Sequence, residues 1–199
     1  MLAVITFTEE WRCFKPQDTF AFRPGVNLLV GDQGCGKSSL IGAIRNGAIP
    51  LKGHDRDYRK DKVATVLTEG NQCQSFKFDF EHDNFQTKPY FDSESTTFHV
   101  SCIFKSHGEQ NRAVLANMAD AKNSVIFMDE PDMALSIRSI NRLIAMLDKM
   151  ADAGNQVIAA VHNQTLIEHF PLVLSLEHRM WMPSDKFIES QSEEPADAE

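Results

Sequence analysis

The sequence predicts an α/β protein built on a doubly wound, mainly parallel β-sheet. Short apolar runs of strand length, such as Val26 to Val30 and Gln156 to Val161, alternate with stretches that fit helices. The segment from Ile137 to Leu147 carries apolar residues three or four positions apart, which indicates a helix with one buried face. The 199 residues suit one domain of this class.

A glycine-rich loop follows the first of these runs. It satisfies G-x-x-x-x-G-K-[ST] and lies between a predicted strand and the helix-like run Ser39 to Asn46. The glycines allow backbone N–H groups to point at phosphates beside a helix N-terminus. A chance match is the alternative, and the strand and helix on either side disfavour it. The predicted phosphate-binding residues are Gly31, Gly34, Cys35, Gly36, Lys37, Ser38 and Ser39, with Lys37 on the β- and γ-phosphates and Ser38 on Mg²⁺.

A second apolar run, beginning at Ser124, ends in two acids, Asp129 and Glu130. A buried parallel strand here would bring both acids to the edge of the sheet where the phosphate loop lies. Asp129 would hold Mg²⁺ through Ser38 or water, and Glu130 would orient and deprotonate the attacking water. The alternative is that the acids cap a helix beginning near Pro131.

The chain resembles the ABC-type ATPases, specifically the compact branch related to the SMC, RecF and Rad-type repair ATPases. Four blocks carry the resemblance, and their order and spacing match the family. They are the Walker A loop Gly31 to Ser38, the signature-like segment Ser106 to Gln110, the Walker B strand with Asp129 and Glu130, and Val157 to His162. The resemblance implies a P-loop NTPase fold of ABC ATPase type.

In that family the signature serine and glycine, here Ser106 and Gly108, bind the γ-phosphate held by the opposite subunit. The resemblance therefore implies a homodimer that forms on ATP, with His162 as the switch histidine near the γ-phosphate and Ala134 to Ser136 as the loop that crosses the interface. A polar turn at Ser106 to Gln110 and a purely structural His162 are the alternatives. The segment Ser106-His107-Gly108 also departs from the Ser-Gly-Gly of transporter ATPases.

Two family positions stay open. Gln72, Gln74 and Gln86 all lie where the family places a metal-binding glutamine, and Gln86 is preferred. Arg12 and Phe14 are candidates for the adenine contact by position, although Phe14 could equally belong to the core.

The predicted organisation is an ATPase domain over residues 1–188, with a small inserted subdomain at about 47–105, and a disordered acidic tail over 189–199. The alternation at Phe76 to Phe80 predicts a strand inside the insertion, and Leu172 to Leu176 and Arg179 to Met182 predict two more strands. The net charge is −8, and without the five acids of the tail it is −3. The chain is too short for a long coiled-coil insertion.

The composition of the sequence predicts the cellular compartment and the kinds of partner. The four cysteines lack metal-ligand spacing, and we expect no signal peptide or membrane-spanning run, which predicts a cytoplasmic protein with reduced thiols and no membrane partner. DNA contact is a further possibility, carried by a basic cluster that nearby acids dilute. The cluster comprises Lys52, Arg56, Arg59, Lys60 and Lys62.

The predicted function is an ATP hydrolase with ATP and Mg²⁺ as its ligands. By resemblance, its closing and opening would control nucleic acid repair, processing or defence against foreign DNA through a separate nuclease or other effector. One alternative is a nucleotide-gated assembly module with negligible turnover, and another is the ATPase subunit of a membrane transporter.

Overall fold

A computed structural model of the chain describes residues 1–48, 63–69, 75–79 and 121–192. This part of the chain forms nine strands and four helices. The strands are β1 (Leu2–Phe7), β2 (Thr19–Ala21), β3 (Val26–Val30), β4 (Ala64–Thr68), β5 (Ser75–Asp79), β6 (Val125–Asp129), β7 (Gln156–Ala160), β8 (Leu172–Ser175) and β9 (Met180–Pro183). The helices are α1 (Lys37–Ala48), α2 (Ile137–Asp152), α3 (Gln164–His169) and α4 (Ser184–Ser192).

Six strands form the main sheet in the order β5-β6-β7-β3-β8-β9. The first five are parallel, and β9 runs antiparallel to β8 at the edge. All five residues of β7 are buried, as are four of the five in β3, which explains why these strands read as continuous apolar runs. The predicted doubly wound, mainly parallel sheet is confirmed.

The carboxyl ends of the central strands lie side by side. Ala160 at the end of β7 pairs with Leu29 of β3 on one side and with Asp129 of β6 on the other. Because β3, β6, β7 and β8 run in the same direction, the loops that follow them open at one edge of the sheet. Open α/β sheets bind their ligands at this edge.

A second, antiparallel sheet has the order β2-β1-β4 and was not anticipated from the sequence. Aromatic side chains fill the core beside it: Phe7 and Phe14 stack with their ring centroids 4.4 Å apart, and Phe20 meets both edge-on. The buried Gln156 side chain joins the two sheets, since its amide accepts a hydrogen bond from Leu2 N and donates one to Leu2 O, both at 2.8 Å. Unpaired, these groups of Leu2 would be costly to bury.

The two described strands from the predicted insertion belong to these sheets. β4 pairs with β1, and β5 pairs in parallel with β6, so the predicted strand near Phe76 extends the main sheet. Pairing with an existing edge satisfies backbone groups that a free strand would leave open. Within the predicted insertion, residues 49–62, 70–74 and 80–105 lie outside the described part of the chain.

Helix α2 packs a regular stripe on the main sheet, but its first residue does not join the core. Ile140, Leu143 and Leu147 are buried as predicted. Ile137 is 80% exposed, because it is the first residue of the helix and the buried face begins only at Ser139. The helix ends as predicted: Gly154 has φ +80° and donates to Ala151 O, and Asn155 N donates to Met150 O.

Helix α4 corrects the predicted start of the acidic tail. Residues 189–192 are helical, because the buried Phe187 anchors the helix on the core and Lys186 forms an ion pair with Glu189. Residues 193–199 lie outside the described part of the chain. Among the helices described, none combines the length and apolar character needed to cross a membrane.

Candidate active site

The phosphate loop connects β3 to α1 and has the backbone that its glycines predict. Gly31, Gly34 and Gly36 have φ values of +137°, +87° and +107°, a region that other residues rarely adopt. Lys37 is buried, and its ammonium donates to Gly31 O at 2.7 Å and to Asp32 O at 2.9 Å. The lysine thus holds the loop in a closed ring, and its charge lies inside that ring.

The segment from Trp11 to Lys15 lies against this loop. Phe14 is 2% exposed, and its Cζ would lie 2.9 Å from a Cβ added at Gly36, so the core role that competed with adenine contact is the one observed. Arg12 Nη1 donates to Ser39 Oγ at 2.9 Å, and its guanidinium lies 5.0 Å from the Trp11 ring centroid. Arg12 is therefore placed beside the first turn of α1, and its adenine contact stays a prediction.

The predicted metal ligands Ser38 and Asp129 meet at the mouth of the loop. Ser38 Oγ donates to Asp129 Oδ1 at 2.8 Å, across the gap between α1 and the end of β6. Hydroxyl and carboxylate oxygens are the hard donors that Mg²⁺ prefers, and such sites use few protein ligands because phosphates and water supply the rest. No group of three His, Cys, Asp or Glu side chains suited to a metal occurs among the described residues.

Glu130 and His162 face each other at the ends of β6 and β7. His162 Nε2 lies 3.4 Å from Glu130 Oε1, and the two side chains are 39% and 28% exposed, so solvent water can reach both. The Glu130 backbone has φ +53° and donates to Ala160 O at 3.1 Å. The capping alternative for the two acids is not observed, because the next helix begins at Ile137 with Ser136 as its N-cap residue.

Several predicted positions lie outside the described residues. Ser106 and Gly108, the candidate glutamines Gln72, Gln74 and Gln86, and the basic cluster are in this group. Their roles stay predictions from the sequence.

Two acids at the same edge were not singled out from the sequence. Asp132 accepts hydrogen bonds from the backbone N–H groups of His162 and Asn163. Glu177, after β8, accepts from Asp32 N at 2.6 Å and from Gln191 Nε2 of α4 at 3.1 Å. Their position just after a strand of the main sheet is the signal that could have found them. Between the loop and α4 lies a cleft of ≈ 360 Å³ that His162 also lines.

Cys35 lies inside the phosphate loop, 3.8 Å from the Lys37 ammonium. Burial raises the pKa of the Cys35 thiol above its ordinary value; Lys37 opposes this shift and Glu177 adds to it. The thiol is therefore protonated at neutral pH and a poor nucleophile there.

We expect iodoacetamide to modify Cys35 slowly at pH 7.5 and about tenfold faster per pH unit above it, since only the thiolate reacts. ATP with Mg²⁺ should suppress the modification, and modification should prevent ATP binding by blocking the loop. Peptide mapping by mass spectrometry measures the rate, with Cys13, exposed in the structure, as the internal comparison. Inhibition that persists in Cys35→Ser would contradict a block at this position.

Comparison with known proteins identifies the family of this chain. A family model described as AAA domain matches residues 8–168, which contain the phosphate loop, Asp129, Glu130 and His162. The chain belongs to the AAA domain family. The match covers most of the chain and includes the ends of β3, β6 and β7.

Relatives of this AAA domain protein include ATP-binding proteins of import systems. The cobalt import ATP-binding protein CbiO of Salmonella typhimurium is 28% identical over 74% of this chain and 65% of the relative. The fructose import ATP-binding protein FruK of Bifidobacterium longum is 25% identical over 70% of this chain and 33% of the relative. The chain thus spans less than two thirds of the length of these curated relatives. Their similarity supports an ABC-type P-loop ATPase.

Solved structures show the same fold. CbiO1 from Clostridium perfringens, part of the ABC transporter complex cbiONQ, aligns with a TM-score of 0.60 at 13% identity, over 96% of this chain and 92% of that one. A metal-chelate type ABC transporter in an inward-facing conformation aligns with a TM-score of 0.58 at 12% identity, over 94% and 85%. The predicted ABC ATPase fold is confirmed, and the narrower SMC, RecF and Rad-type branch stays a prediction.

Proposed function

We propose that this protein binds ATP with Mg²⁺ and hydrolyses the β-γ phosphoanhydride bond in a site shared by two copies of the chain. The observation that carries the proposal is the convergence of two side-chain pairs beside the phosphate loop. Ser38 and Asp129 are 2.8 Å apart, and Glu130 and His162 are 3.4 Å apart. The first pair is suited to a magnesium nucleotide, and the second is suited to a water molecule that attacks it.

Each side chain has a defined task in this proposal. Lys37 exchanges its carbonyl partners for the β- and γ-phosphate oxygens, and Ser38 and Asp129 would hold Mg²⁺, which neutralises charge on the phosphates. Glu130 orients the water and accepts its proton, and His162 donates a hydrogen bond to the γ-phosphate. The partly exposed position of Glu130 and His162 gives water access to the reacting phosphate before a second chain covers it.

The second copy would supply Ser106 and Gly108 to the γ-phosphate. Exposed apolar side chains beside the site support such an interface, since Met133 is 46% exposed and Ile137 is 80% exposed in the segment after Glu130. Large apolar side chains grouped on a surface commonly mark a contact with another protein. In this proposal ATP joins the two chains, and hydrolysis separates them.

Light scattering of Glu130→Gln tests the shared site. With hydrolysis blocked, ATP and Mg²⁺ should double the molar mass, and Ser106→Arg in the same background should abolish the doubling while ATP binding persists. Thr68→Arg is the matched control and should still dimerise, because Thr68 is an exposed hydroxyl residue on β4 that pairs with Leu2, away from the site. A protein that binds ATP and stays monomeric at high concentration would contradict the homodimer.

Two biological roles for the proposed ATPase differ in the partner that it would act on. The import systems named for the relatives favour an ATP-binding subunit that drives a membrane component, and the earlier expectation of no membrane partner is not supported by them. The variant Ser106-His107-Gly108 signature favours control of nucleic acid processing or defence through an effector. Turnover measured with duplex DNA added, and with membranes from the source cells added, separates these roles by which addition stimulates it.

The assembly-module alternative predicts ATP-dependent dimers with negligible turnover. The pairing of Glu130 with His162 argues against this alternative. Both side chains are accessible to water, as residues that activate a water molecule must be, and assembly alone would not require such a pair. Single-turnover phosphate release by the wild-type protein separates these two cases.

A further inference from the structure

Asp132 lies two residues beyond Glu130 and contacts the His162 segment. Its Oδ2 accepts hydrogen bonds from His162 N at 2.7 Å and from Asn163 N at 2.6 Å. Bonds from two backbone N–H groups to one ionised oxygen are strong and directional. The turn after β6 is thereby fastened to the end of β7 through a side chain, beyond the backbone pairing of the two strands.

The other oxygen of this carboxylate has no hydrogen-bond partner among the described residues. Asp132 is 7% exposed, and its Oδ1 is buried. A buried acid with one oxygen unsatisfied costs folding free energy, so stability alone does not account for it. Strain lies on both sides of it as well, since Glu130 and Ala134 have φ values of +53° and +56°. Backbone of this kind is concentrated at functional sites.

The two acids of this turn hold the histidine at different points. Glu130 meets the imidazole at Nε2, and Asp132 meets the backbone N–H of the same residue. A ring attached to a fixed backbone and restrained at its far nitrogen has little freedom to leave the Glu130 carboxylate. Loss of the hydrogen bonds from the backbone to Asp132 would let the imidazole ring move away from Glu130, and a small displacement of a catalytic group is enough to lower kcat.

We propose that Asp132 is a positioning residue for His162: its carboxylate fixes the backbone of the His162 segment to the turn that carries Glu130, so that the two side chains move as one unit. This rests on the proposed role of Glu130 and His162 in ATP hydrolysis. A displacement of residues 131–136 by a second chain would then be transmitted to His162 through Asp132.

The test compares Asp132→Ala, Asp132→Asn and Asp152→Asn in the full chain. Asp152 is an exposed acid at the end of α2 and serves as the matched control. Amide hydrogen exchange in the nucleotide-free protein should become about tenfold faster at His162 and Asn163 in Asp132→Ala, because a bond to each amide is lost. The kcat for ATP should fall by roughly 10- to 100-fold while the Kd for ATP stays within about twofold.

Asp132→Asn retains a carbonyl oxygen that can accept both bonds, so it should recover part of the protection and part of kcat. It also keeps the test decisive if Asp132→Ala does not fold. Unchanged exchange at the two amides in the folded variant, or equal losses in kcat and ATP affinity, would overturn the positioning role. Exchange is measured without nucleotide, so altered exchange in a protein that never hydrolyses ATP would refute the hydrolase and leave the anchor standing.

Discussion

Glu130→Gln is expected to lower kcat for ATP hydrolysis by about 10²- to 10⁴-fold, the range that removal of a general base produces. The amide keeps the size and the hydrogen-bonding reach of the side chain toward His162 but cannot accept a proton from water. ATP affinity should persist, because Lys37, Ser38 and Asp129 are unchanged. Phosphate release under single-turnover conditions measures the loss, and equilibrium binding of ATP measures what is kept.

Glu168→Gln is the matched control for this change. Glu168 is exposed on α3 and accepts a hydrogen bond from Gln164, which an amide oxygen can also accept. We expect it to hydrolyse ATP at the wild-type rate. Should Glu130→Gln retain more than about a tenth of the wild-type kcat, a different group must accept the proton, and the assignment of Glu130 as general base would be wrong.

Gly36→Ala is expected to weaken ATP binding by roughly 10- to 100-fold. Gly36 has φ +107°, where a side chain costs about 1–3 kcal/mol. The variant loop avoids this cost by leaving the binding conformation, which ATP must then restore, and each 1.4 kcal/mol is a factor of about ten in affinity. The added Cβ would also meet Cys13 Sγ and lie 2.9 Å from Phe14 Cζ. Because Phe14 stacks on Phe7 in the core, its ring cannot yield without moving the antiparallel sheet.

Gly34→Ala separates backbone strain from crowding. Gly34 has φ +87°, and a Cβ there would have no neighbour within 4 Å. We therefore expect Gly34→Ala, in which only the backbone is strained, to lose less affinity and less thermal stability than Gly36→Ala, which is both strained and crowded. Titration calorimetry with ATP and thermal unfolding of both variants make the comparison. Equal losses in both would show that crowding by Phe14 is not the cause.

The central sheet and the phosphate loop were predictable because their signals are local. The run Val26 to Val30, the glycine pattern after it and the run that ends at Asp129 each contain the physical reason for their own structure. The approach of Ser38 to Asp129 and of Glu130 to His162 follows once the strands are taken as parallel neighbours.

Features that depend on distant partners were not predictable. Nothing near Phe14 tells whether it stacks on Phe7 or on a nucleotide, since both uses need an aromatic residue at that point. Ile137 continues the apolar spacing of α2, yet lies where the helix has not reached the core. The role of Asp132 depends on two backbone amides 30 and 31 residues away, and an aspartate at this position in the sequence does not reveal that it will contact them.

The ring that Lys37 closes with Gly31 and Asp32 has a kinetic consequence. Because the ammonium already has two carbonyl partners, the loop keeps its shape before ATP arrives. Capture of the nucleotide would then be an exchange of oxygen partners around one nitrogen, with no reordering of this loop needed first. We therefore expect diffusion and charge to set the association rate for ATP, and differences in affinity among loop variants to be found in how fast ATP leaves.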